Sequence, residues 1–125
     1  MKVAVPVFHS RISPVFDVAH LCLLVELRDG TEADRQQLVL RGKIPHERVD
    51  ELRKQGVNLL ICGGITGVTR VLAENAGVRV LSGVAGDVEK VLEAFRERDL
   101  DKPRFRMPGC RRRRRRIGRG RERRR

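Results

Sequence analysis

Two stretches of the chain, "LRKQGVNLLICGG" (52–64) and "LAENAGVRVLSG" (72–83), share one pattern: helix, Gly, Val, apolar strand, Gly-rich loop. Gly56 and Gly77 stand 21 residues apart. Repeated helix–glycine–strand units place successive strands parallel, joined by helical crossovers. The strands in them, "VNLLIC" (57–62) and "VRVLS" (78–82), are continuously apolar or nearly so. Such strands need cover on both faces, so helices must pack against the sheet.

The first forty residues have a different rhythm. "KVAVPVF" (2–8) reads as a buried strand, with Pro6 expected near its end or at an unpaired position because proline donates nothing to a ladder. "SRISPVFDVAH" (10–20) reads as an irregular loop. "LCLLVEL" (21–27) and "RQQLVL" (35–40) read as an antiparallel hairpin around the Asp-Gly of "RDGT", with a moderately long loop. Helices are expected over 45–55, 66–76 and 86–98. Pro45 and Gly56 bracket the first. Thr66 is the expected N-cap of the second, with Val68, Val71, Leu72 and Ala76 on one face. Val88, Val91, Leu92 and Phe95 form the apolar stripe of the third. The element order is βββαβαβα, and the expected fold is an α/β mixed five-stranded sheet flanked by helices.

Charge divides the chain in two. Residues 111–125 hold eleven of its 28 Lys and Arg, against one Glu, whereas residues 1–110 are near neutral with 17 basic and 15 acidic side chains. Ile117 is the only large apolar residue in the closing run, so burial cannot offset its ordering entropy. The expected organisation is therefore a folded domain over 1–110 and a disordered Arg-rich tail over 111–125. Arg111, Arg112, Arg113, Arg114, Arg115 and Arg116 can attract phosphate backbones by counterion release, without sequence preference, or dock on an acidic protein. With no Trp or Tyr and four Phe, a base-stacking platform is hard to build. Three widely spaced cysteines argue for a reducing compartment. "MKVAVPVF" is too short for a signal-peptide core, and no apolar run approaches the ~18 residues of a membrane span. A cytoplasmic location with no membrane partner is expected.

If the first, fourth and fifth strands are parallel, loops 9–17, 62–67 and 82–87 meet at one sheet edge, where ligands of open α/β sheets bind. Gly63, Gly64, Gly83 and Gly86 lie in two of these loops, each leading into a helix N-terminus that favours an anion. They could equally serve only to make tight turns. His9 and Cys62 follow two of the strands and could offer nitrogen and sulfur to a soft metal; for Cys62 a buried strand-end role is the plainer alternative. Cys22 reads as core, His20 and His46 as surface residues, and Cys110 as a thiol near the tail. The chain has no nucleotide-loop motif, no C-x-x-C and no H-E-x-x-H. Catalysis is not expected.

Taken together and in order, "MKVAVPV", "ISPVFDVAHLCLLVEL", "GVNLLICGGITG", "LAENAGVRVLSGVAGDVEKVLEAF" and "FRMPGC" resemble the dinitrogenase iron–molybdenum cofactor biosynthesis family, of the NifX type also found as the tail domain of NifB proteins. The resemblance covers about residues 1–110. It implies a ribonuclease H-like fold and a non-catalytic protein that binds or carries an iron–sulfur or iron–molybdenum cofactor precursor, receiving it from a cluster donor or passing it to an acceptor protein. Many members carry His-Phe-Gly in the first loop, with the His as cluster ligand. Here the stretch is Val15-Phe16-Asp17, which leaves His9, Cys62 and Cys110 as the metal ligands near the crevice. A regulatory or scaffold domain without metal is the alternative.

Overall fold

The computed structural model describes residues 1–98, 100 and 102–107. In chain order the elements are β1 (Lys2–Phe8), β2 (Arg11–Ile12), a 3₁₀ turn (Phe16–Val18), β3 (Leu21–Arg28), β4 (Thr31–Val39), α1 (Pro45–Lys54), β5 (Leu59–Ile61), α2 (Gly67–Asn75), β6 (Arg79–Leu81), α3 (Val88–Arg96) and a second 3₁₀ turn (Pro103–Phe105). The sheet runs β4-β3-β1-β5-β6, with β2 paired to β1. It is mixed: β3 is antiparallel to β1 and to β4, while β1, β5 and β6 are parallel.

Two expectations need correction. The sheet has six strands rather than five, so the order βββαβαβα lacks one strand. That strand is β2, two residues within the segment read as loop, which folds back on β1 through Val7–Ile12 and Phe8–Arg11. A two-residue strand carries no periodic pattern to read. The β3–β4 hairpin also turns tightly rather than through a long loop. Asp29 and Gly30 both have positive φ, 54° and 77°, the two-residue geometry that matches strand twist. β4 therefore begins at Thr31, not 35. Its first half, "TEADR", is polar because β4 is an outer strand of the sheet, and charge on an edge strand discourages pairing with other chains.

Pro6 lies beyond the last β1–β5 pair, Ala4–Leu60, and its carbonyl accepts from Ser13 N at 2.9 Å. Its missing donor thus falls where the ladder to β5 has stopped.

The sheet separates two apolar layers. On one face Val3, Val5, Val25 and Ile61 pack with Val88, Val91, Leu92 and Ala94 of α3 and with Phe105. On the other, Ala4, Cys22, Leu24, Leu60 and Cys62 pack with Val49 and Leu52 of α1, Ala73 of α2 and Phe16. The repeated glycines end α1 and α2 as expected, Gly56 at φ 75° and Gly77 at φ 88°. Asp87 caps α3, its carboxylate accepting from Lys90 N at 3.1 Å. On α2 the core side is Thr69 and Ala73. Of the face expected to be apolar, Leu72 and Ala76 pack half-buried on the core layer, whereas Val68 and Val71 are 63% and 54% exposed.

Candidate functional site

The carboxyl ends of β1, β5 and β6 do share one edge, because these strands are parallel neighbours. The loops that leave them converge there and bond to one another. Phe16 N donates to Gly64 O at 2.8 Å, Gly64 N to Pro14 O at 2.6 Å, and Gly83 N to Gly63 O at 2.8 Å. Ile12 N donates to Gly86 O, and Val88 N to Ser10 O, both at 2.9 Å.

An open hollow lined by free amides is therefore not what the edge presents. Carbonyls of the chain itself take the amides of Gly64, Gly83 and Val84, and Phe105 O takes that of Ala85. Segment 13–17 lies directly on the β5–α2 loop. A Cβ built on Gly63 would stand 2.7 Å from Pro14 O and 2.9 Å from Ser13 O, so glycine is needed there to admit a neighbouring backbone. Gly63 and Gly83 are buried, and Gly64 and Gly86 half-buried.

Cys62 does not face a crevice. Its side chain belongs to the layer of Phe16, Ala19 and Cys22 and is fully buried. Burial pushes its thiol up to about 12, with Arg70 pulling it down and Asp17 raising it further. A thiol so placed is protonated at neutral pH and is a poor ligand until it is uncovered. Cys22 is also fully buried, and burial raises its thiol above the ordinary value.

His9 occupies the exposed turn between β1 and β2 at φ 59°. Its ring meets that of Phe8 edge to face, with centroids 4.3 Å apart. His20 and His46 are exposed. Among the described residues no three His, Cys, Asp or Glu side chains are grouped to hold a metal ion. Cys110 and Arg111 to Arg116, with the whole of 111–125, lie outside the described residues.

The polar organisation of this edge is carried by residues that the sequence did not single out for it. Asp17 Oδ1 accepts from Thr66 N at 2.9 Å, and Asp17 Oδ2 from the Thr66 hydroxyl at 2.9 Å and from the Thr69 hydroxyl. Burial tends to raise its carboxyl, but the hydrogen bonds from Thr69 and Thr66 and the charge of Arg48 outweigh this and hold it below the ordinary carboxylate value. Arg48 is 5% exposed. It donates to Phe16 O at 2.7 Å, to Gly42 O at 2.8 Å and to Ala19 O, with its guanidinium 5.2 Å from the centre of the Phe16 ring. Its Nε is buried without a partner. α1 offers the core only Val49 and Leu52 besides Arg48, and that short apolar complement is the one hint in the sequence that Arg48 belongs there. Arg70, half-buried on α2, donates to the Ser82 hydroxyl and pairs with Glu74 at 3.7 Å. It ties the α2 N-terminus to the end of β6.

The model of the family described as dinitrogenase iron–molybdenum cofactor matches residues 1–98. The protein PH0822, in its crystal structure, superposes with a TM-score of 0.74 at 20% identity, over 78% of this chain and 91% of that one. A protein of Methanocaldococcus jannaschii, provisionally titled a dinitrogenase, gives 0.66 at 21% identity, over 79% and 90%. A protein from Thermotoga, provisionally titled NifB, gives 0.62 at 23% identity, over 86% and 98%. At these identities the likeness is one of fold. Among curated proteins no relative matches. Among the described residues no helix is long and apolar enough to cross a membrane.

Proposed function

Because this chain belongs to the dinitrogenase iron–molybdenum cofactor family, we propose that it is a non-catalytic carrier of an iron–sulfur or iron–molybdenum cofactor precursor. The family match carries this reading. The convergence of β1, β5 and β6 at one edge supports it by giving the cargo a place, and the strand order β4-β3-β1-β5-β6 supports a ribonuclease H-like architecture.

On this reading Cys62 supplies the sulfur ligand when the loops above it part, and Gly63, Gly64, Gly83 and Gly86 border the anionic cargo, with the Gly64 amide then released from Pro14 O. His9, exposed on the neighbouring turn, is the nitrogen donor. Cys110 is a further sulfur donor in the same proposal. Few soft ligands suit a carrier, because a cluster held by four thiolates is retained rather than passed on. The natural partners are then a cluster donor and a cluster acceptor. The compartment that suits buried free thiols is the cytoplasm.

One observation favours a second reading. The loops bond to each other and Cys62 is buried, as suits a regulatory or scaffold domain that binds a partner and no metal. Non-specific attraction of Arg111 to Arg116 for nucleic acid is compatible with either.

Anaerobic incubation with a synthetic iron–sulfur or thiomolybdate cluster, desalting, and metal analysis distinguish the two. The carrier retains about one cluster per chain with its visible absorption, and Cys62→Ala loses most of it. A chain that returns from desalting without metal is the scaffold.

A further inference from the structure

Segment 13–19 joins two anchored strands, yet it belongs to no strand itself. At its start Ile12 N donates to Gly86 O and Ser13 N to Pro6 O; just past its end Leu40 N donates to His20 O. Pro14, Val15 and Val18 are exposed along its outer side, while Phe16 and Ala19 point inward to the layer that holds Cys62. Beside the backbone pair that Pro14 and Phe16 make with Gly64, two side-chain fastenings hold it down. One is the Asp17 carboxylate on Thr66 and Thr69; the other is Arg48 on the carbonyls of Phe16 and Ala19.

We propose that segment 13–19 is a lid over Cys62 and the β5–α2 loop, and that Asp17 is the latch that keeps it shut. The proposal rests on the carrier reading for its purpose, since it says when the sulfur ligand becomes available. Three features distinguish a lid from ordinary loop packing. The latch joins the segment to α2, a separate element whose own N-cap is already supplied by Thr66. The groups that the segment covers are a thiol and the Gly64 amide, kinds of group that a soft anionic cargo needs. The closed state also leaves Arg48 Nε buried and unpartnered, a cost that opening to water removes. When the segment lifts, Gly64 N loses Pro14 O, and the Cys62 thiol meets solvent, where it can lose its proton to water and offer a thiolate to a metal.

The test follows thiol chemistry in the full chain without any metal. Wild type and Asp17→Asn are treated with N-ethylmaleimide in urea concentrations well below unfolding, and modification of Cys62 is followed by peptide mass spectrometry. Removing the charged acceptor is expected to speed labelling of Cys62 by about tenfold or more, in line with hydrogen bonds to a charged group. The rate should hardly depend on urea, because local opening exposes little surface. Thr69→Val, which removes a donor from the other side of the latch, should give a smaller acceleration of the same kind. An unchanged Cys62 rate in Asp17→Asn overturns the lid, as does acceleration that rises with urea as steeply as global unfolding. No acceleration in Thr69→Val also overturns it. The lid can fail here with cluster retention intact, and retention can fail with the lid standing, so the two ideas are separable.

Discussion

The contact between segment 13–17 and the β5–α2 loop predicts a graded response to one added methyl group. Three glycines, Gly63, Gly64 and Gly67, lie within the six residues after β5. A Cβ on Gly63 meets Pro14 O at 2.7 Å and Ser13 O at 2.9 Å; on Gly64 it meets Pro14 O at 3.2 Å; on Gly67 it meets nothing within 4 Å. Ordinary contact begins near 3.4 Å. The atoms opposing Gly63 are backbone, so they move only if the segment moves, and that strains Gly64 N to Pro14 O and Phe16 N to Gly64 O. Overpacking costs about 1–3 kcal/mol. A weakened buried hydrogen bond adds roughly 1 kcal/mol. Gly63→Ala should therefore destabilise by about 2–4 kcal/mol. Gly64→Ala should fall near 1 kcal/mol on the same reasoning. Gly67→Ala, in the first turn of α2, should be neutral or stabilising by up to about 1 kcal/mol, because alanine loses less backbone entropy than glycine in a helix. Urea unfolding of the three variants, followed by circular dichroism, gives the order. A Gly63→Ala variant as stable as Gly67→Ala would mean that segment 13–17 does not press on this loop, and the account of the closed edge would fall with it.

Asp17 makes stability depend on acid. Its folded value lies below the unfolded one, so its contribution is fully present above the unfolded carboxylate value, about 3.9, and is lost as pH falls through the folded value. Wild type should exceed Asp17→Asn in urea unfolding at pH 7, with the gap closing toward pH 2.5; a gap independent of pH would refute the charge as its origin. Arg35 bonds Glu32 at 2.7 Å and Glu89 at 2.5 Å, joining β4 to α3 across partly exposed surface. Arg35→Gln should cost less than about 1 kcal/mol, and less still in 0.5 M salt, by the same unfolding assay. Asp87→Ala removes the N-cap of α3 and should cost about 1 kcal/mol, read as a lower urea midpoint with an unchanged slope.

The parallel half of the sheet was legible because its strands are apolar on both faces and its helices end at glycine. Residues 57–62 and 78–82 contain β5 and β6, and Gly56 and Gly77 do close the helices. Where the sequence misled, a local pattern was absent or ambiguous. β2 is too short for periodicity, and the polar start of β4 follows from its place at the sheet edge, which only the assembled topology defines. Val68 and Val71 illustrate a limit of the helical wheel. The wheel places them on one stripe with Leu72 and Ala76, but the buried centre falls on Thr69 and Ala73, with Leu72 and Ala76 at its margin and the two valines beyond it.

The candidate site divides along the same line. Convergence of the three loops follows from parallel strands alone, so it could be read from the repeated unit. Whether the edge stands open depends on contacts 49 to 52 residues apart in the chain, as between Asp17 and Thr66 or Thr69, and no local pattern records them. Arg48 sharpens the point. A charged residue within an amphipathic helix normally marks the solvent side, yet here it is buried because the carbonyls of Phe16 and Ala19 meet it there. Those carbonyls are free for Arg48 because this irregular segment uses neither of them in a strand ladder. The lack of regular structure over 13–19 and the burial of Arg48 are thus one feature. A segment held by one backbone bridge to Gly64 and by side chains, rather than by a full ladder, depends on single side chains far more than β1 or β5 does.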